Sequence, residues 1–196
     1  DDEEIFQAIP VDVVEAQPVQ KSDPVVEEKV KKEKCTATFS GHKEEITAIA
    51  YTNDEKYMAS ASKDKTIRIW DLLKDECVLV LEGHNDWVRT LSISSDGSRL
   101  ISGSDDWTVK IWDIKTGKCE NTLEGHTMPV TVAAITANNR FIFSGSRDKT
   151  IKIWDSKSGK CLSTLEGHKD WVGHFVLSSD GNKAISGSYD GTIKIW

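Results

Sequence analysis

The chain has 196 residues, 32 acidic against 25 basic, for a formal net charge of −7. That balance disfavours nucleic acid as a partner, because its binders carry a basic excess. No apolar run approaches the ~20 residues of a membrane span, so no membrane partner is expected, and four cysteines in a chain this long do not make a disulfide framework.

Residues 1–34 hold ten acidic and five basic residues, three of the four prolines, no glycine and one aromatic, Phe6. With no sustained apolar period they read as a disordered acidic tail or linker. Within it EIFQAI (Glu4–Ile9) is a candidate docking motif, and the i,i+4 pairs Glu27–Lys31 and Glu28–Lys32 would support a short marginal helix. The first residue is Asp1 rather than Met, which reads as a fragment or a processed form.

From residue 35 the text becomes strand, turn, strand. Cys35–Ser40 reads as an outer strand at the front of the repeats. Further on, WVRTLSIS (Trp87–Ser94) is rich in β-formers and stops at Asp96-Gly97, a strong hairpin signal. RLISGS (Arg99–Ser104) is the next strand, Asp105-Asp106-Trp107 a tight turn, and TVKIWD (Thr108–Asp113) alternates with period two. A turn at residues 115–118 leads into CENTLEGH (Cys119–His126). Four strands joined by short turns form an antiparallel meander, and setting such four-stranded units radially protects their edges.

SGSDDWTVKIWD, from Ser102, carries adjacent carboxylates and serines that suggest acid–base or nucleophilic chemistry. It recurs, however, as SASKDKTIRIWD from Ser60, SGSRDKTIKIWD from Ser144 and SGSYDGTIKIW from Ser186. Each copy starts 42 residues after the last. Gly41-His42, Gly83-His84, Gly125-His126 and Gly167-His168 keep the same spacing, as do Cys35, Cys77, Cys119 and Cys161. A catalytic pair is needed once per site, so four copies point to architecture. Repeat-equivalent thiols sit too far apart for a disulfide, which needs Cα atoms within roughly 7 Å, or for a zinc site, which needs ligands at about 2.0–2.3 Å. The thiols read as small buried hydrophobes in a reducing compartment, which implies an intracellular, cytoplasmic protein. No metal or cofactor is expected, and no phosphate-binding glycine loop occurs.

Gly-His followed 28 residues later by Trp, four times at a 42-residue period and with Asp after the Trp in the first three copies, resembles the WD-repeat β-propeller family. The resemblance covers residues 34–196 and implies an all-β fold: a β-propeller of four-stranded antiparallel blades, four to this chain. It also implies a hydrogen-bonded tetrad in each blade. The members are His42, Ser60, Asp64 and Trp70; His84, Ser102, Asp106 and Trp112; His126, Ser144, Asp148 and Trp154; and His168, Ser186, Asp190 and Trp196. A buried carboxylate is costly unless paired, and an imidazole between Asp and Ser, with an indole donating to Ser, satisfies every group.

The position just before each tetrad Asp changes chemistry from repeat to repeat: Lys63, Asp105, Arg147, Tyr189. So do the positions three and five after each His: Glu45 and Thr47, Trp87 and Arg89, Pro129 and Thr131, Trp171 and Gly173. The resemblance implies that these positions face the top of the propeller and meet partners. The candidate partner-binding residues are Trp87, Arg89, Arg147, Trp171 and Tyr189, with Asp105 and Trp107 beside them. Exposed Trp, Tyr and Arg are the residues enriched at interface hot spots. The competing reading is that Trp87 and Trp171 cover blade edges. Arg89 and Arg147 suit a phosphate or carboxylate. His174, the histidine outside the period, is expected in packing between blades rather than as a ligand.

Four blades are few for a ring. If each open face leaves on the order of 500 Å² of apolar surface, an isolated half-ring forgoes about 25 kcal/mol at roughly 25 cal/mol per Å². The alternatives are further blades in a longer protein, two copies joined head to tail in an eight-bladed ring, or four blades closing alone. For the 196-residue chain itself a homodimer is the leading expectation. The function expected is a non-catalytic scaffold that binds other proteins or peptides. The alternatives are a propeller enzyme with an active site in the central channel, for which Glu45 and Asp105 are the only candidate acids, or the recognition module of a larger multidomain protein.

Overall fold

The computed structural model describes residues 35–178 and 183–196. The expected tail, docking motif and short helix at 1–34 lie outside the described residues. Residues 35–38 belong to a unit separate from 39–196, and the blades lie within residues 39–196.

Fifteen strands are described. They are β1 (Ile46–Tyr51), β2 (Tyr57–Ser62), β3 (Ile67–Asp71) and β4 (Glu76–Leu81); β5 (Val88–Ile93), β6 (Arg99–Ser104), β7 (Val109–Asp113) and β8 (Cys119–Leu123); β9 (Val130–Ile135), β10 (Phe141–Ser146), β11 (Ile151–Asp155) and β12 (Cys161–Leu165); and β13 (Val172–Leu177), β14 (Ala184–Ser188) and β15 (Ile193–Ile195). Each set is one antiparallel meander in which consecutive strands pair: three sheets of four strands and a last one of three. These are the four blades of the propeller architecture. The turn after each second strand holds a left-handed residue at the same place: Lys65, Trp107, Lys149 and Gly191, with φ of 70°, 71°, 72° and 79°. Only the last is glycine, the residue that adopts this region without strain.

The core lies between blades. Ala59, Ala61, Ile67, Ile69 and Leu81 of the first blade pack with Val88, Leu100 and Trp112 of the second. Ile101, Val109, Ile111 and Leu123 of the second pack with Val130, Ala133, Ile142 and Trp154 of the third. The second blade is therefore covered on both faces, and β6 is buried from Leu100 to Ser104. The closest approach is a knob in a socket. A Cβ placed on Gly103 would meet Val130 Cγ1 at 2.6 Å, and one on Gly145 would meet Val172 Cγ1 at 2.7 Å.

The first strands of the blades pack in the order β1, β5, β9, β13, and among the described residues the arc stays open. At one end Ile46, Ile49 and Tyr51 are exposed; at the other, Val176, Ile185, Ile193 and Ile195. Around Gly187, the repeat equivalent of Gly103 and Gly145, nothing lies within 4 Å of a built Cβ.

Three expectations are corrected. Cys35–Ser40 carries no strand. The thiols are not buried: Cys35, Cys119 and Cys161 are exposed and Cys77 is half-buried, because the last three open or adjoin the outermost strand of a blade, whose far side meets solvent. His174 is exposed rather than packed. Its equivalents Thr90 and Val132 are half-buried, and Thr90 Oγ1 accepts from the Ala133 amide of the next blade; among the described residues the last blade has no such neighbour.

Candidate functional site

The tetrad residues come together in every blade. His84 Nδ1 lies 2.7 Å from Asp106 Oδ2, His84 Nε2 lies 2.7 Å from Ser102 Oγ, and Trp112 Nε1 donates to Ser102 Oγ at 2.8 Å. The corresponding distances are 2.9, 2.8 and 2.8 Å in the first blade, 2.6, 2.8 and 2.8 Å in the third, and 3.0, 2.7 and 2.9 Å in the fourth. The donors can be assigned from chemistry. An ionised carboxylate only accepts, so Nδ1 carries a hydrogen. In the neutral ring Nε2 then accepts from the serine hydroxyl, whose oxygen in turn accepts from the indole. Donation runs one way, Trp to Ser to His to Asp, with nothing unpaired.

Each Asp does more than orient its His. Asp106 Oδ2 accepts from the Asn85 amide, and its Oδ1 from the amide and hydroxyl of Thr108. Burial alone would raise this carboxyl. The hydrogen bonds from His84, Asn85 and Thr108 overcome it and hold Asp106 well below the usual carboxylate range. Asp64, Asp148 and Asp190 are lowered in the same way. Thr66, Thr108, Thr150 and Thr192 are thus further members of the network that the sequence reading left out. So are Ser62, Ser104, Ser146 and Ser188, each donating to a carbonyl of the entry loop. All eight recur every 42 residues, which is the signal that could have found them. The Ser-His-Asp order resembles a nucleophilic triad, but Ser102, Ser144 and Ser186 have no exposed surface and Ser60 only 2%, and the indole occupies the oxygen that would attack.

The network ties the loop before each first strand to the turn after each second strand. Backbone bonds repeat the link: Lys63 N donates to Glu45 O, Asp105 N to Trp87 O, Arg147 N to Pro129 O and Tyr189 N to Trp171 O. The variable side chains are thereby gathered at one end of the blades. Arg89 donates through Nε and Nη2 to both carboxylate oxygens of Asp105, and its guanidinium lies 5.5 Å from the Trp87 ring centroid. Lys63 Nζ sits 4.6 Å from the same ring and 2.5 Å from Glu45 Oε2. Arg147 lies 4.4 Å from the ring of Trp171, which meets Tyr189 edge-on at 5.7 Å. A Cβ on Gly173 would stand 3.0 Å from the Tyr189 ring, so the glycine makes room for that tyrosine. Trp87 and Trp171 are 38% and 36% exposed: each both covers a seam between blades and offers indole surface to solvent.

The structure thus brings Trp87, Arg89 and Asp105 into one cluster and Arg147, Trp171 and Tyr189 into another. Trp107 stands apart, beside Glu124, Gly125 and His126 in a cleft of about 280 Å³. Lys63 is the member of the first cluster that the sequence reading did not select. Among the described residues no group of His, Cys, Asp and Glu is arranged to hold a metal ion, and no helix is long and apolar enough to cross a membrane.

The family model for the WD domain, G-beta repeat, matches residues 33–71, 75–113, 117–155 and 159–196. Shorter stretches resemble curated proteins. The CCR4-associated factor 4 homolog of Candida glabrata is 53% identical over 38 residues, 19% of this chain and 6% of that protein. The DDB1- and CUL4-associated factor 11 homolog of Caenorhabditis briggsae is 47% identical over 36 residues, 18% of this chain and 6% of that protein. The Target of rapamycin complex subunit wat1 of Schizosaccharomyces pombe is 46% identical over 35 residues, 18% of this chain and 11% of that protein. The matched segments therefore span about a tenth or less of these relatives. With all four repeats matched and every blade built to one plan, the chain belongs to the WD domain, G-beta repeat family.

Proposed function

We propose that the chain is a non-catalytic scaffold, an intracellular and cytoplasmic one, that binds protein or peptide partners through the variable end of its blades. The observation that carries this reading is the contrast between positions. The His, Ser, Asp and Trp that recur in all four repeats are consumed in the tetrads, whereas Trp87, Arg89, Asp105, Arg147, Trp171 and Tyr189 occupy positions that change from repeat to repeat and form a partly exposed surface of aromatic and charged groups. Trp, Tyr and Arg are the anchors that dominate interface energetics. The names of the relatives, as associated factors and a complex subunit, agree with an assembly role. The test is affinity capture from lysate with wild-type chain and with Trp87→Ala/Trp171→Ala. Partners lost by a folded double variant support the proposal; partners recovered equally contradict it.

A second surface also favours binding. The exposed apolar ends of the arc are complementary: Ile46, the equivalent of the knobs Val130 and Val172, has no socket, and the Gly187 socket has no knob. Two copies joined head to tail would match them and complete an eight-bladed ring.

A further inference from the structure

We infer that Arg147 is the receptor for an acidic side chain of a bound peptide, an oxyanion held by the guanidinium against the Trp171 indole. The inference rests on the reading of the variable end as a peptide-binding surface and names the chemistry that one part of it recognises.

The repeat plan shows what each cation should have. In the first blade Lys63 occupies the position before the tetrad Asp, lies over the Trp of the next blade and is neutralised by Glu45, three residues after the tetrad His. In the second blade the charge order is reversed: Arg89 is paired with Asp105 at that same position. In the third blade Arg147 again lies over the next blade's Trp, at 4.4 Å. The position that supplied Glu45 in the first blade is now Pro129, which has no acceptor side chain. Among the described residues the Arg147 side chain makes no hydrogen bond or ion pair, and its Nε is covered without a partner.

A half-buried guanidinium with a covered, unpaired N–H bears a desolvation cost that internal carboxylates offset for Lys63 and Arg89. Here the internal carboxylate is missing and two terminal nitrogens remain free to donate. A guanidinium presents paired donors that match a carboxylate or a phosphoryl group in a two-point contact. Trp171 keeps the guanidinium plane in place through the cation–π contact, and Tyr189 packs edge-on against Trp171. The geometry points to a peptide residue whose oxyanion takes the place that Glu45 takes in the first blade. Glutamate, aspartate and phosphoserine share that chemistry.

Tethered heptapeptide pools, random except for a central Glu, Gln, phosphoserine or Ser, test this on the 196-residue chain. The wild type is expected to retain the Glu or phosphoserine pool about tenfold over its neutral counterpart, the scale of a charge-assisted contact. Arg147→Gln is expected to erase the preference, Arg147→Lys to keep part of it, and Arg140→Gln, in a turn next to Phe141, to leave it intact, all with thermal midpoints near that of the wild type. A phosphoserine pool retained above Glu assigns the oxyanion to a phosphorylated partner; equal or weaker retention assigns it to a carboxylate. Pools that bind without acidic preference, or a preference that survives Arg147→Gln, overturn the inference. In that case loss of pool binding on Trp87→Ala/Trp171→Ala would leave the surface reading standing. Absence of binding by every pool contradicts both.

Discussion

The ammonium of Lys63 lies 4.6 Å from the centre of the Trp87 ring, one blade further along the chain. Arg147 repeats the relationship with Trp171 at 4.4 Å, so a cation and an indole 24 residues apart clasp two of the three seams between neighbouring blades. At the seam between, the corresponding residues are Asp105 and Pro129, which cannot make this contact. Exposed cation–π pairs are worth about 0.5–1 kcal/mol. A double-mutant cycle with Lys63→Ala and Trp87→Ala, read by chemical denaturation, is expected to give a coupling of that size; additive losses would show that the contact contributes nothing.

The tetrads set the stability of each blade. His84→Ala removes the acceptor of Ser102 and a donor to Asp106, leaving buried groups unpaired, at a cost of about 1–3 kcal/mol. Differential scanning calorimetry is the check, and an unchanged midpoint would mean that the network is ornamental.

Acid should unfold the chain through the same groups. The tetrad carboxyls are held below the usual range in the folded state, while in the unfolded chain they titrate near about 3.9. Their contribution is therefore complete at neutral pH and declines once pH falls below about 4, where the unfolded chain takes up protons that the folded chain does not. Asp106→Asn is expected to cost about 1–3 kcal/mol at pH 7, and its gap from the wild type should narrow as pH falls below about 4. A gap independent of pH over that interval would contradict the assignment.

The knob-and-socket seam separates two glycines of identical repeat position. Gly145→Ala would drive a methyl group into Val172, an overpacking expected to cost about 1–3 kcal/mol. Gly187→Ala meets nothing in the single chain and should leave its fold intact. If two copies join as proposed, light scattering of the wild type gives twice 21.8 kDa, and Gly187→Ala shifts the population toward the single chain. A wild-type mass near 21.8 kDa at all concentrations rules out the pairing.

Much of this was legible in the residues because recurrence samples each position four times. RLISGS is strand β6 from Arg99 to Ser104 as read, and the tetrad members fall within hydrogen-bond reach. What recurrence hides is the difference between a repeat position and its environment. The cysteines recur, yet recurrence on the outer strand does not bury them. His174 shares a repeat position with Thr90 and Val132, but those are half-buried and Thr90 meets the Ala133 amide of the next blade, whereas among the described residues no blade follows the last. Lys63 was legible as a variable position. Its place over Trp87 was not, because that contact crosses a seam and depends on how one blade is rotated against the next.

The most direct test of the division between recurring and singular residues uses the seven tryptophans. The indole N–H groups of Trp70, Trp112, Trp154 and Trp196 donate to tetrad serines, whereas Trp87, Trp107 and Trp171 are exposed. In a ¹⁵N-labelled sample transferred to D₂O, the indole signals of Trp70, Trp112 and Trp154 should persist longest, with that of Trp196 at the edge of the arc fading sooner. Those of Trp87, Trp107 and Trp171 should vanish first. Added partner should shift the signals of Trp87 and Trp171 in H₂O and leave the four tetrad signals in place. Tetrad indoles that exchange as fast as the exposed ones, or that move while Trp87 and Trp171 stay still, would contradict the account.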